Sequence, residues 1–471
     1  MKIYNTLTKK IEEFKPINPP SVSLYTCGFT VYDYTHIGHM RKYIGDDILR
    51  RTLNYLGHEV KHVQNVTDVG HLASDADEGE DKMEKGAKKY GKTVWEVANF
   101  YTKYFYDTMD FLNVLRPTVI AKATEHISDM IQLIQELEKK GYTYETDEAV
   151  YFDVTKFPHY GELSGQKLED KVKGAREEVY VDPAKKNPAD FTLWFKRVKR
   201  FKDHIMHWDS PWGDGFPGWH IECSAMSMKY LGVPIDIHTG GVDHVPVHHE
   251  NEIAQSEAAT GKKFVDYWVH HEHLLVDGKK MSKSVGNFYT IDDVRKKNID
   301  PISLKLLFLQ SHYRQQMNFT WESAKAAHDA YTRLKETIRA LQKQTQRTTL
   351  SEDKLKQLDQ YRQRFADALT NDLQTPQAVA IMWEMLKSNI PSPDKLDLLY
   401  EFDQVFGLKL NEITEEQIPE EIITLATERQ KYKQEKNFAK ADELRKEIGE
   451  RGYIVEDTAD GFIVKIRIRT D

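Results

Sequence analysis

The sequence predicts an α/β chain: a parallel-sheet unit interrupted by an insertion, then an α-helical bundle, then a small α+β unit. Three observations carry this. A strand, loop, helix, strand pattern occupies residues 21–66, the signature of a parallel βαβ unit. From about residue 305 the character changes to long amphipathic helices. The last segment, Phe462 to Arg469, alternates apolar and basic residues, as a half-buried strand does.

Taken in order, Ser21 to Thr26 is a short run of strand-forming residues that ends at Cys27-Gly28. A loop follows, then a helix from about His39 to Leu56. Its Ile44, Ile48, Leu49, Leu53 and Leu56 share one face, and Gly57 is the stop. Val60 to Val66 is the second strand. In such sheets ligands bind beyond the carboxyl ends of the strands, which is where Cys27 and the loop after it fall. Residues 75–89 switch from acidic to basic and read as a solvated helix or loop. The stretch from about 115 to 220, with hairpin-like pieces around Tyr144–Val154, reads as an insertion between two halves of the first unit. Ile235 to Thr239 and Tyr267 to Val276 are further strands. Trp321–Gln342, Lys354–Leu369 and Glu421–Gly449 are the long helices. The terminal strand would present Lys465, Arg467 and Arg469 on one face.

At 471 residues the chain is too long for one ordinary domain and has 40% hydrophobic residues, enough for several cores. No apolar run approaches the ~20 residues of a bilayer span, and MKIYNTLTKK lacks the apolar core of a signal peptide, so a cytoplasmic protein is expected. The net charge of -8 neither supports nor excludes RNA binding, which depends on where the basic residues cluster. Cys27 and Cys223, the two cysteines, are not expected to form a disulfide in that compartment.

Chemistry concentrates in three places. His36-Ile37-Gly38-His39 lies between a strand and a helix. There, free N–H groups and the dipole suit phosphates, and Gly38 lets a nucleotide approach the backbone. Lys280-Met281-Ser282-Lys283-Ser284 follows a strand and the turn Asp277-Gly278. Its two lysines could neutralise charge that builds on a triphosphate. In this order, about 240 residues apart, the pair resembles the signatures of class I aminoacyl-tRNA synthetases. Third, Cys27, Cys223, His248 and Glu252 offer zinc-type donors, with His248 and Glu252 four apart on one helical face. The spacing is not that of a compact finger. A capping or surface histidine and a solvated carboxylate are the plainer alternatives.

The blocks CGFTVYDYTHIGHMR, GWHIECSAMS, HTGGVDHVPVHHENEIAQSEA and DGKKMSKSVGN resemble those of the cysteinyl-tRNA synthetase family. The similarity continues through SHYRQQMNFTWESA to KNFAKADELRKEIGERGYIVEDTADGF and so covers nearly the whole chain. The resemblance implies a Rossmann-like catalytic domain over 1–304, a helical bundle over 305–410 and a small anticodon-binding domain over 411–471. It implies one Zn2+ on Cys27, Cys223, His248 and Glu252, binding the thiolate of substrate cysteine. ATP, with Mg2+, would meet His36, Gly38, His39, Gly241, Asp243, Lys280 and Lys283. His36, His39, Lys280 and Lys283 would be the catalytic groups. Gly28, Thr67 and Trp219 would line the amino-acid pocket, although Trp219 could equally be an ordinary core tryptophan. Lys433, Asp442 and Asp457 match positions implicated in reading the anticodon of tRNA(Cys); Lys433 stands where an arginine is familiar. A monomer is expected. The sequence after Thr67-Asp68 departs from many relatives, so His71 and the acidic run receive no role. Two rivals remain: a mycothiol-pathway cysteine ligase, which lacks the full anticodon-binding end, and a non-catalytic RNA-binding paralogue, which would have lost part of the signature set.

Overall fold

A computed structural model describes residues 1–70, 81–166, 182–282, 285–414, 418–458 and 461–466. His71, residues 75–80, Lys283, Arg467 and Arg469 lie outside the described residues.

The chain opens with an antiparallel pair, β1 (Lys2–Asn5) and β2 (Lys10–Glu13). Then β3 (Ser21–Thr30), α1 (Ile37–Tyr55) and β4 (Glu59–Thr67) form the expected unit, with the two strands parallel. α1 begins two residues before the predicted start because the His36 ring caps it, Nδ1 accepting from the Gly38 and His39 amides. β3 runs past its predicted end through a register shift between Thr26 and Phe29. α2 (Lys82–Tyr90), α3 (Val94–Phe111), β5 (Val119–Lys122) and α4 (Ile127–Lys139) follow.

β6 (Thr143–Glu145), β7 (Ala149–Phe152), β8 (Phe191–Lys196) and β9 (Gly215–Pro217) make an antiparallel sheet of their own inside the predicted insertion. After α5 (Trp219–Leu231) the chain returns to the first sheet with β10 (Ile235–Gly241), α6 (His248–Thr260) and β11 (Val265–His271). The parallel sheet has the order β11-β10-β3-β4-β5. The chain leaves β3 toward β4 on one side and comes back to β10 on the other. The crevice beyond the carboxyl ends of β3 and β10 is therefore the switch point where such sheets bind ligands.

The predicted single strand Tyr267–Val276 is two: β11 stops at His271 and β12 (Leu274–Val276) starts a second small sheet with β13 (Lys279–Lys280) and β14 (Met317–Phe319). The break is held by Arg41, whose guanidinium donates to the carbonyls of Glu272 and His273 and also to those of His312 and Gln315. Between these strands lie α7 (Ile291–Lys296) and α8 (Pro301–Leu309).

Then come α9 (Trp321–Gln342), α10 (Glu352–Thr370), α11 (Thr375–Lys387) and α12 (Ser392–Phe406). They pack with α1, α3 and α8 around one apolar core, in which Phe365 stacks on Phe402 with ring centres 3.9 Å apart. The predicted helix Glu421–Gly449 is likewise two, α13 (Glu420–Gln434) and α14 (Phe438–Glu450). Lys436 takes a left-handed φ of 60° and Asn437 caps the second helix, so apolar periodicity alone could not reveal the turn. β15 (Tyr453–Thr458) and β16 (Gly461–Ile466) close the chain as an antiparallel pair. Among the described residues no helix is long and apolar enough to cross a membrane.

Candidate active site and metal centre

A cleft of about 410 Å3 opens at the switch point. Cys27, Gly28, Thr67, Trp219, Cys223 and His248 line one end of it, and His36, Gly38, His39, Lys280 and Met281 the other. Gly241 and Asp243 stand between them. Every catalytic, nucleotide, pocket and metal candidate named from the sequence reaches this cleft or its floor, except Lys283, which lies outside the described residues.

At the phosphate end the two signature histidines stack with ring centres 3.5 Å apart. Each uses Nδ1 to accept from a backbone N–H: His36 from Gly38 and His39, His39 from His36. Nδ1 being an acceptor, the proton of each neutral ring sits on Nε2. Burial, with the His36 ring beside it, holds the His39 pKa well below the usual value and keeps that ring neutral. The sequence thus makes a helix start whose capping side chains are themselves N–H donors at the positive dipole end. The expected free amides are absent, because Ile37 donates to the Tyr289 carbonyl, Gly38 and His39 to His36 Nδ1 and Met40 to the His36 carbonyl. Across the cleft, Asn287 shapes the second signature by accepting from the Ser282 amide and donating to the Lys280 carbonyl. Phe288 packs edge-on against His36, and the Ile37 amide donates to the Tyr289 carbonyl. The two motifs, far apart in sequence, brace each other.

At the other end, one donor atom from each of Cys27, Cys223, His248 and Glu252 lies within 4.8 Å of the other three, and all four residues are buried. Both thiols are free. The Glu252 carboxylate is fully buried, with His248 Nε2 at 3.0 Å and His238 Nε2 at 2.9 Å. A buried carboxylate among thiols and imidazoles is costly unless a cation compensates it. Two sulfurs, an imidazole and a carboxylate also match zinc in number and softness, so the residues fit the metal. Burial pushes the Cys27 thiol up. The Cys223 hydrogen bond and the neighbouring His249 and His238 imidazoles outweigh it and leave the pKa well below the usual one. Burial and Cys27 together raise Cys223.

The sequence reading missed what surrounds these donors. Cys27, His238, His249 and Glu252 form a second group of the same compactness, sharing two members with the first. Imidazoles continue outward: His220 Nδ1 lies 3.0 Å from His248 Nδ1, and His249 Nδ1 lies 2.7 Å from His270 Nε2. The segment HTGGVDHVPVHHE is dense in histidine, but that density does not say which rings face the donors, and His220 and His270 lie outside it. Asn65 and Lys42 were also missed. At the register shift in β3 the ladder is interrupted, and side chains satisfy the backbone instead. The Gly28 amide donates to Asn65 Oδ1 (2.6 Å), Asn65 Nδ2 donates to the Thr67 hydroxyl (3.1 Å), and Lys42 Nζ donates to the Cys27 carbonyl (2.7 Å). Gly28 has no room for a side chain: a Cβ there would sit 1.7 Å from the Asn65 carbonyl oxygen. No pattern in the sequence marks these contacts.

The remaining candidates lie elsewhere. Asp457 accepts from Arg429 (2.9 and 3.0 Å) and pairs with Lys433 at 2.8 Å, while Asp442 is exposed on α14. The Arg429 and Lys433 cations hold the Asp457 carboxyl well below the usual range.

A parallel sheet with a helix-capping histidine pair and an opposing lysine loop at its switch point defines a class I tRNA synthetase catalytic domain. The family described as tRNA synthetases class I (C) catalytic domain matches residues 13–329. A cysteine--tRNA ligase of Treponema denticola is 44% identical over 98% of both chains. One from Caldicellulosiruptor saccharolyticus is 44% identical over 99% of both. The chain belongs to the cysteine--tRNA ligase family. Among solved structures, Mycobacterium tuberculosis methionyl-tRNA synthetase in complex with methionyl-adenylate superposes with a TM-score of 0.60. It is 13% identical and aligns over 83% of this chain and 93% of its own, which shows the shared fold alone.

Proposed function

We propose that this enzyme activates cysteine with ATP and transfers it to tRNA(Cys), selecting its substrate through one zinc ion on Cys27, Cys223, His248 and Glu252. The observation that carries the reading is the pairing of two unlike ends in one cleft, a buried thiol–imidazole–carboxylate cluster and a neutral-histidine helix start. Of the two compact groups, the one with both cysteines is the softer donor set and is preferred. His238 and His249 then serve as outer partners that orient Glu252 and Cys27.

Bound there, zinc would supply a soft site that takes the substrate thiol as a thiolate and rejects a serine hydroxyl. Gly28, Thr67 and Trp219 shape the pocket around the remaining atoms. The substrate carboxylate attacks the α-phosphorus of Mg2+-bound ATP, pyrophosphate leaves, and cysteinyl-adenylate remains. A hydroxyl of the terminal tRNA ribose then attacks the acyl carbon and AMP departs. His36 and His39 donate Nε2–H to phosphate oxygens, with the positive dipole end of α1 adding to them. Lys280 and Lys283 offset the negative charge that grows as pyrophosphate separates. Gly241 and Asp243 lie along the adenosine. The proposed division is 1–304 for catalysis, 305–410 for the bundle and 411–471 for the anticodon, read by Lys433, Asp442 and Asp457. The enzyme works as a cytoplasmic monomer.

The test is aminoacylation with purified protein, ATP, Mg2+, labelled cysteine and a tRNA pool, run against serine and a zinc-stripped sample. Charging by cysteine and not serine, lost on stripping and restored by zinc, is expected. Serine charged as well as cysteine would sink the zinc-selectivity reading.

A further inference from the structure

The lysine-rich half of the acidic-to-basic run has no part in the chemistry above. α2 and the turn between α2 and α3 carry Lys85, Lys88, Lys89 and Lys92, all exposed. None forms an ion pair with a described carboxylate. Asp33 attracts Lys89 and Glu96 attracts Lys92 without a close ion pair, and the hydrogen bonds of the nearby acids go elsewhere. Glu84 accepts from the Ile205 amide, Glu96 closes the Thr93 capping box, and Asp107 pairs with Lys103. Interleaved with the lysines are aromatic rings left open to solvent: Trp95 is 48% exposed, Phe100 42% and Tyr90 36%. Lys89 Nζ stands 4.7 Å from the Tyr90 ring centre and Lys92 Nζ 4.7 Å from that of Phe100. In a chain of net charge -8, four lysines without an ion pair among the described residues, beside three exposed rings, form a local exception.

The surface also adjoins the cleft. Gly86 of α2 packs so closely on the loop before His36 that a Cβ would lie 3.0 Å from the Tyr32 carbonyl oxygen. Tyr34, which lines the cleft, meets Phe100 and Tyr101 edge-on at 6.2 and 5.1 Å. On its far side α2 touches the inserted segment, where the Asp81 carboxylate lies 3.3 Å from His204. The lysine–aromatic surface thus lies between the insertion and the mouth of the cleft. Open rings for bases to stack on and cations for phosphates are what unpaired nucleic acid requires.

We propose that the surface formed by Lys85, Lys88, Lys89, Lys92, Trp95 and Phe100 guides the unpaired 3′ end of the tRNA past Tyr34 into the cleft. This rests on the reading of the protein as a tRNA-charging enzyme and adds where the RNA enters. The unpaired end is favoured over duplex because exposed rings serve stacking on splayed bases, which paired bases do not offer.

The test uses the full-length enzyme and two variants, Trp95→Ala/Phe100→Ala and Lys88→Ala/Lys89→Ala/Lys92→Ala. Cysteine-dependent pyrophosphate exchange, charging, and tRNA binding across a salt series are measured with intact tRNA and with tRNA lacking its unpaired 3′ nucleotides. Expected are a roughly tenfold fall in kcat/KM for intact tRNA in each variant and unchanged exchange. In the lysine variant the log–log salt slope becomes shallower by ~2. With truncated tRNA the variants and the parent should bind alike. Parent-like charging of intact tRNA overturns the proposal. So does an equal loss on truncated tRNA, which would assign the surface to duplex, or a matching fall in exchange. Absence of exchange in the parent enzyme would instead defeat the functional reading itself.

Discussion

The two ends of the cleft are built by opposite means. At the thiol end, Cys27, Cys223, His248 and Glu252 are almost wholly buried, and further imidazoles hold them from behind. At the phosphate end, Lys280 is exposed on a two-residue strand, and its backbone, more than its side chain, is what the Asn287 turn fixes. On the proposed reading, the difference follows from the task. Telling sulfur from oxygen needs donors fixed before the substrate arrives, because discrimination is a difference in bond energy at one atom. Offsetting charge that appears only as pyrophosphate leaves needs a cation that can follow it.

The contrast is broken most severely at the buried end. Cys223→Ser should abolish stoichiometric zinc and lower kcat/KM for cysteine by more than ~100-fold, since loss of an outer partner alone costs ~10- to 100-fold. Metal content by atomic absorption and pyrophosphate exchange check it; retained zinc with parent-like exchange would refute the assignment. Lys280→Ala should lower kcat of exchange by roughly 100-fold, the lower end of the scale for one lost charge-stabilising donor. Zinc content and serine rejection should not change. If they do, the two ends are not separable as described.

The parts of this arrangement legible in the sequence were those with local signals. The βαβ unit was visible because Ile44, Ile48, Leu49 and Leu53 repeat on one face of α1 between two strands. The signature motifs were visible because each gathers its distinctive residues in short order. The break at Glu272–His273 was not visible, because Arg41 creates it from 231 residues away in the chain. Nor was the turn between α13 and α14, where a left-handed Lys436 replaces the expected glycine. The outer histidines were missed for a different reason. His238 reads as an inward strand residue and His220 as a helix residue, and only the fold brings their rings to Glu252 and His248.

Asn65 sharpens the comparison by testing whether fixing the backbone matters as much as fixing the donors. It satisfies the Gly28 amide where β3 leaves its register, next to a zinc candidate and two pocket residues. Asn65→Ala should raise KM for cysteine by ~10-fold and speed zinc loss to a chelator, as removal of an outer partner does. KM for ATP should remain near the parent value. Asn65→Asp can still accept from nearby groups but cannot donate to Thr67, so it should not rescue. An equal rise in both KM values would mean a general loosening of the sheet.

The smallest effect concerns a histidine that serves the fold and not the chemistry. His62, on β4 beside β3, is buried with Nε2 2.8 Å from the Thr26 hydroxyl and Nδ1 3.4 Å from the Arg50 guanidinium. Burial first, and the Arg50 charge second, push its pKa from 6.5 down to about 3. The unfolded chain therefore takes up this proton near pH 6.5 and the folded chain only near pH 3. The stability it confers is complete above pH 6.5 and drains away as pH falls toward 3. Asp46 acts in the same direction at lower pH. Burial would raise its pKa, but Lys42 and His271 hold it below the usual carboxylate range, so its contribution is lost as the medium acidifies further. Each unit of differential pKa is worth ~1.4 kcal/mol, so between pH 6.5 and 4.5 His62 alone should account for on the order of 2 kcal/mol. His62→Gln, whose amide can still meet Thr26, should give a thermal unfolding curve with a shallower dependence on pH across that interval than the parent. Comparing the two proteins at each pH cancels any release of the proposed zinc, which acid would cause in both. Parallel curves from pH 6.5 to 4.5 would show that His62 titrates freely in the folded protein and that the acid sensitivity belongs to other groups.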